Sequence, residues 1–129
     1  MAKWEMNNMT PLDMVTQFAV AMGQPLGLPW VTGEKSTVEN MRFRLIEEEF
    51  KEFSLEDTDL VAALKELADL VYVCYGYAAT FGWDLDEAVK RVHASNMSKL
   101  GDDGNPIKRE DGKVLKGPNY KKPDLTDLV

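Results

Sequence analysis

The longest apolar stretch of the chain, Leu60 to Phe81, carries only three charged residues: Lys65, Glu66 and Asp69. Its length approaches that of a membrane span. The charges within it and the lack of flanking basic anchors argue against one. A water-soluble helix of this character needs cover from neighbouring helices. From Tyr72 to Phe81 it is apolar nearly all round, more than a chain of 129 residues can cover with its remaining short helices. Self-association into a homodimer or a dimer of dimers is therefore expected.

One ordinary domain spanning residues 1–129 suits this length. With 44% hydrophobic and 29% charged residues, the chain reads as a globular protein. A formal net charge of −7 disfavours binding to nucleic acid polymers. The lone cysteine, Cys74, sits in an apolar run and reads as a small buried hydrophobe in a reducing compartment. The opening MAKWEMNNMTPLDM has no apolar signal core. Together these features lead us to expect a cytoplasmic location, with no membrane partner.

Four helices are legible. Thr10, Pro11 and Asp13 open the first, which runs to about Met22 and stops at Gly23. Ser36 and Glu39 have capping-box spacing for a second, reaching about Phe53. A third is expected from about Thr58 to Phe81, and Asp84 with Glu87 opens a fourth that ends near Leu100. Beyond it, the Asp111-Gly112 pair suggests a short β-hairpin over the segment from Pro106 to Gly117, followed by an extended tail. The short connections predict an all-α fold, an antiparallel four-helix bundle with the hairpin appended.

Charge is distributed unevenly. From Glu34 to Asp69 there are eleven acids against five basic residues; from Lys90 to Lys122 there are nine basic residues against four acids. An acidic middle and a basic C-terminal third suit a cation held by one and an anion gripped by the other. On a helical wheel with Met41 at zero, Glu52, Glu49 and Glu48 fall at about 20°, 80° and −20°, at the edge of a broad apolar arc. Glu66 and Asp69 are three residues apart, so they share a side of the third helix, and Lys65 points about 100° away from Glu66. An unpaired carboxylate in such surroundings costs several kcal/mol, of the order expected for a desolvated ion.

Two acid pairs spaced i, i+3, on helices joined by a short link, can meet across the pair. Four carboxylates with no nitrogen or sulfur donor make a hard site, suited to Mg²⁺ or Mn²⁺. A carboxylate-bridged di-iron bundle needs Glu-x-x-His pairs, and the only histidine, His93, has Lys90 three residues before it. The plainer reading of an EEEFKE run is a solvated helix face, but that reading does not extend to Glu66 and Asp69. No Gly-x-x-x-x-Gly-Lys-Ser/Thr loop is present, which argues against a P-loop NTPase.

The succession Glu48-Glu49-x-x-Glu52 and then Glu66-x-x-Asp69 resembles the MazG-like all-α nucleoside triphosphate pyrophosphohydrolases, which include phosphoribosyl-ATP pyrophosphohydrolase and helical dUTPases. The FAVAMGQP segment is similar to the first helix and loop of that family. SNMSKLGDDGNPIKREDGKVLKGPNYKKPDL is similar to the C-terminal segment of a subgroup with phage-borne and bacterial members. The resemblance implies Glu49, Glu52, Glu66 and Asp69 as metal ligands and Glu48 as the group that orients or deprotonates the attacking water. It implies Asn96 and Lys99 as phosphate contacts, and Lys116 and Tyr120 as residues closing over the site.

The implied reaction is metal-dependent hydrolysis of a nucleoside triphosphate to the monophosphate and pyrophosphate, in the host cytoplasm if the chain is phage-encoded. It requires neutralisation of a polyanion and in-line placement of water, roles suited to divalent metals and lysines. Phosphoribosyl-ATP is the alternative substrate. A non-catalytic helical interaction module with a structural cation site is the alternative outside enzymes, although such a site needs no spare Glu48. Trp30 and Gln24 read either as base contacts or as loop-closing structural residues. Tyr72, Tyr75 and Tyr77 read as core or subunit-contact residues.

Overall fold

The computed structural model describes residues 6–129; the first five residues of the polar N-terminal stretch lie outside the described residues. Helix α1 spans Pro11–Met22, α2 Thr37–Leu55, α3 Leu60–Thr80 and α4 Leu85–Met97. The fold is all-helical: among the described residues there is no strand. No helix of the described residues is long and apolar enough to cross a membrane. The chain divides into two compact units, one ending at Leu85 and the other Asp86–Val129.

In the first unit, each helix starts where a side chain replaces a missing backbone partner. Thr10 and Asp13 form a reciprocal capping box: the Asp13 amide donates to Thr10 Oγ1 at 3.2 Å and the Thr10 amide donates to Asp13 Oδ2 at 3.1 Å. Gly23, at φ 67°, takes the left-handed turn that ends α1. Ser36 caps α2 by accepting from the Glu39 amide at 3.1 Å. Asp59, one residue later than the expected Thr58, caps α3 by accepting from Val61 and Ala62. Glu56 braces the link by accepting from the amides of Thr58 and Asp59. So short a link turns α3 back along α2, and these two helices form the most extensive helix contact of the unit.

Helix α1 packs on α3 as well. Val15 and Ala19, one turn apart on α1, are buried, as are Ala78, Ala79 and Phe81 at the far end of α3. The loop after α1 is stitched to that end: Gly27 and Leu28 donate their amides to the carbonyls of Ala79 and Thr80 at 3.2 and 2.7 Å. These bonds satisfy carbonyls that a helix terminus leaves open. A Cβ on Gly82 would come within 3.3 Å of Gly27 Cα, at a φ of 70° that already favours glycine. Trp30, Tyr77, Phe81 and Trp83 gather here with ring centroids 5.1–5.9 Å apart. The other end of α3 has no such cover: Leu60 is 90% exposed and Leu64 68%.

In the second unit, α4 stops at Met97 rather than Leu100, and Ser98 to Leu100 continue as turn and bend. The expected C-terminal β-hairpin does not form. The Asp111-Gly112 pair does turn the chain, with the Gly112 amide donating to the Arg109 carbonyl at 2.9 Å. The two legs, however, meet at one isolated antiparallel bridge, Lys108 to Val114. Every residue from Asp102 to Lys116 is exposed, so the ribbon has no apolar face to bury, and isolated two-stranded ribbons are marginal in water. The tail is tethered by Arg91, whose guanidinium bonds both carboxylate oxygens of Asp127 and the Asp124 carbonyl, and it closes on a 3₁₀ turn at Thr126–Leu128.

Candidate active site

The acids of α2 and α3 converge. Glu49, Glu52 and Glu66 each offer an oxygen within 4.8 Å of the others. Glu49 and Glu66 are half-buried and Glu52 is exposed. Glu49 Oε2 and Glu66 Oε2 are sealed from solvent with no hydrogen-bond partner among the described residues. Buried carboxylate oxygens are normally satisfied, and two orphaned ones on neighbouring acids of a single cluster are a donor arrangement that a cation would fit. The donor set, oxygen only and anionic, fits a hard divalent cation such as magnesium or manganese.

The electrostatics carry the same signature. Burial pushes the Glu49 carboxyl above its ordinary value, and the charges of Glu52, Asp69 and Glu66 push it further, against the relief given by Lys65. Glu66 is raised by burial first and then by the close approach of the Glu52 carboxylate. Asp69 lies beside the trio and is engaged differently. Lys65 Nζ is 2.7 Å from Asp69 Oδ2 and 3.7 Å from Glu66 Oε1. The expectation that Lys65 points away is thus corrected. A wheel angle measured against Glu66 overlooks Asp69 one turn on, which a lysine's flexible four-carbon stem reaches easily.

Glu48 does not join the cluster. It is exposed and lines an open groove of about 350 Å³ along α2 with Asn40 and Arg44. In the second unit, Asn96 is exposed in the last turn of α4, and Lys99 is half-buried in the turn that follows. The C-terminal segment folds back on that turn. The Gly117 amide donates to the Lys99 carbonyl at 2.9 Å, and the Lys121 amide to Ser98 Oγ at 2.9 Å. A Cβ at Gly117 would lie 2.6 Å from the Lys99 and Leu100 carbonyl oxygens, so this approach requires glycine. Lys116 Nζ stands 4.8 Å over the half-buried Tyr120 ring. Lys99, Lys116 and Tyr120 thus share one neighbourhood of the second unit.

Two buried polar residues of α2 escaped the sequence reading. Glu39 is 3% exposed and accepts from the Tyr77 hydroxyl at 3.3 Å instead of reaching back to complete a capping box; Tyr77 in turn accepts from Trp30 Nε1 at 3.0 Å. Arg42 is 7% exposed and donates through Nη2 to Gln24 Oε1 at 3.0 Å. The available signal was periodicity: Arg42 precedes Glu49 by seven residues, two turns along the same helix face. Trp30 and Gln24 therefore both have structural partners in this unit. Burial also raises the thiol of half-buried Cys74, an unreactive setting.

Residues 18–96 match the family described as phosphoribosyl-ATP pyrophosphohydrolase. The chain belongs to this family. It is a branch of the MazG-like all-α nucleoside triphosphate pyrophosphohydrolases, enzymes that act on nucleotide-like substrates and generally depend on divalent metal. The matched residues include both acid pairs of this MazG-like chain and end at Asn96. No curated protein matches the chain.

Proposed function

We propose that this chain hydrolyses canonical-type or modified (deoxy)nucleoside triphosphates to the monophosphate and pyrophosphate, with magnesium or manganese held by Glu49, Glu52, Glu66 and Asp69. The observation that carries the reading is the pair of sealed, partnerless oxygens on Glu49 and Glu66, within a carboxylate cluster 4.8 Å across. When bound, a divalent cation there would neutralise the triphosphate and acidify water. Lys65 is two-thirds exposed, so it can swing out and release Asp69 as the cation enters. Glu48 is assigned to the attacking water as general base. On the strength of the motif resemblance, Asn96 and Lys99 are assigned to the phosphates, and Lys116 and Tyr120 to closing over the substrate.

The reading includes a homodimer or dimer of dimers acting in the cytoplasm. Its support is the uncovered end of α3 and an apolar groove of about 360 Å³ between α1 and α3, lined by Met14, Leu64, Leu67, Val71 and Tyr72. The family match favours a second substrate, phosphoribosyl-ATP, which carries the same triphosphate and would lose the same pyrophosphate.

The deciding experiment is a panel of ribo- and deoxynucleoside triphosphates, with phosphoribosyl-ATP, assayed in magnesium or manganese for pyrophosphate against orthophosphate. One-step release of pyrophosphate from nucleoside triphosphates is the expected result. Orthophosphate with a diphosphate product would overturn the assignment, and turnover of phosphoribosyl-ATP alone would establish the second reading.

A further inference from the structure

A second cavity, of about 230 Å³, opens between α1, α2 and α3, next to the acid cluster in the same unit. Its position follows from helical register. On α2 it is lined by Leu45, one turn before Glu49, and by Arg42, two turns before it. On α3 it is lined by Val73, one turn after Asp69, and by Gly76. From Arg42 to Glu49 the helix rises about 10 Å. The walls are largely apolar, with Phe18 and Tyr72 packed edge to face at a centroid distance of 5.9 Å. Such walls suit a flat ring.

The floor has an unusual hydrogen-bonding character. Arg42 is 93% buried, yet it donates only through Nη2, to Gln24 Oε1. Nε is sealed without an acceptor, and Nη1, also without one among the described residues, lies so close to Gly76 that a Cβ there would stand 3.3 Å away. An arginine only donates, so the Gln24 amide must turn its oxygen to it, and the amide nitrogen remains to donate. The unmet hydrogen-bonding groups of this pair are thus donors, Arg42 Nη1 and the Gln24 amide nitrogen, while Gln24 Oε1 is already engaged by Arg42. Burial lowers the basicity of the guanidinium without giving it a counter-ion. A group nine-tenths buried with unmet donors is suited to an acceptor that enters the cavity.

We propose that this cavity receives the base of the nucleotide whose phosphates lie at the carboxylate cluster, and that Arg42 and Gln24 select bases with an oxo group at purine C6 or pyrimidine C4 (the oxo-bearing bases) over those with an amino group at that position. This rests on the nucleoside triphosphate reading above. Guanine O6 and uracil or thymine O4 are acceptors, whereas adenine N6 and cytosine N4 carry donors at the corresponding position. A donor facing a buried donor leaves both unpaired, a penalty that discriminates far more strongly than a missing contact.

The test is kcat/KM for guanine, uracil, thymine, adenine and cytosine deoxynucleoside triphosphates, paired with calorimetric binding of the five monophosphates to metal-free protein. Oxo-bearing bases are expected to lead by at least about tenfold in both, the size of one good base contact. Gln24→Met should narrow that lead. Arg42→Gln, which puts an acceptor on the floor, should move the preference towards adenine. If Arg42→Gln fails to fold by thermal melting, the wild-type panel and Gln24→Met still decide. Equal kcat/KM and equal binding across all five bases would overturn the base pocket while leaving the hydrolase reading intact. A protein that binds the oxo-bearing monophosphates selectively but turns over no triphosphate would sink the hydrolase reading and keep the pocket.

Discussion

Lys65 Nζ lies 2.7 Å from Asp69 Oδ2, so the one lysine embedded in the α3 acid motif places its charge beside the proposed cation ligands. The bond to Asp69 raises the basicity of Lys65 above its ordinary value, keeping it charged as an internal counter-ion. We predict that Lys65→Met lowers the melting temperature of metal-free protein and enlarges the thermal shift produced by magnesium or manganese. The cation then relieves repulsion that Lys65 no longer offsets. Differential scanning fluorimetry with and without metal checks this. An unchanged shift would mean that Lys65 and the metal do not share these carboxylates.

Glu49 is half-buried beside three other acids, and burial followed by their charges raises its carboxyl above the ordinary value. Its folded pKa and that of Glu66 lie above their unfolded values. Between those values the folded state binds more protons, so metal-free stability should fall as pH rises through the window and recover as pH drops back. Glu49→Gln should raise the metal-free melting temperature near neutral pH, flatten its pH dependence and abolish most of the metal-induced shift. Asp69→Asn offers less relief, because it also strips Lys65 of its nearest partner. A destabilised Glu49→Gln protein with a full metal response would misplace the site.

Glu48 stands apart from the cluster, exposed on the α2 groove. If it serves the attacking water, Glu48→Gln should reduce turnover by about 10²-fold or more, the usual scale of a lost general base. Metal affinity should stay close to wild type, read by titration calorimetry. A parallel collapse of affinity and rate would make Glu48 a ligand instead.

Leu60, Val61 and Leu64 present an apolar surface at the start of α3, each more than two-thirds exposed. Contiguous exposed apolar surface of this kind usually marks an interface. Multi-angle light scattering at micromolar concentration should give a dimer or tetramer mass, and Leu64→Glu should shift it to monomer. A wild-type monomer would refute the assembly.

Local chemistry determined what the sequence alone made legible. A cap is set within three or four residues, so Thr10, Ser36 and the stops at Gly23 and Gly82 follow from side chains beside the helix ends. The spacing of Glu49, Glu52 and Glu66 likewise made their convergence legible, because 3.6-residue periodicity and a short link leave two helices few ways to meet, whereas Asp69 lies beside the trio and is engaged by Lys65. What only the tertiary structure decided depends on partners distant in the chain. Glu39 leaves its capping role for Tyr77, thirty-eight residues away, and Arg42 is buried against Gln24 in the loop after α1. The Asp-Gly turn formed as its local signal requires, but its legs found no apolar surface to lie on and stayed a single bridge. Helix type and acid register are short-range properties. Which charges end up sealed, paired or stranded is set by the elements that close over them, and neither wheel angle nor motif records that.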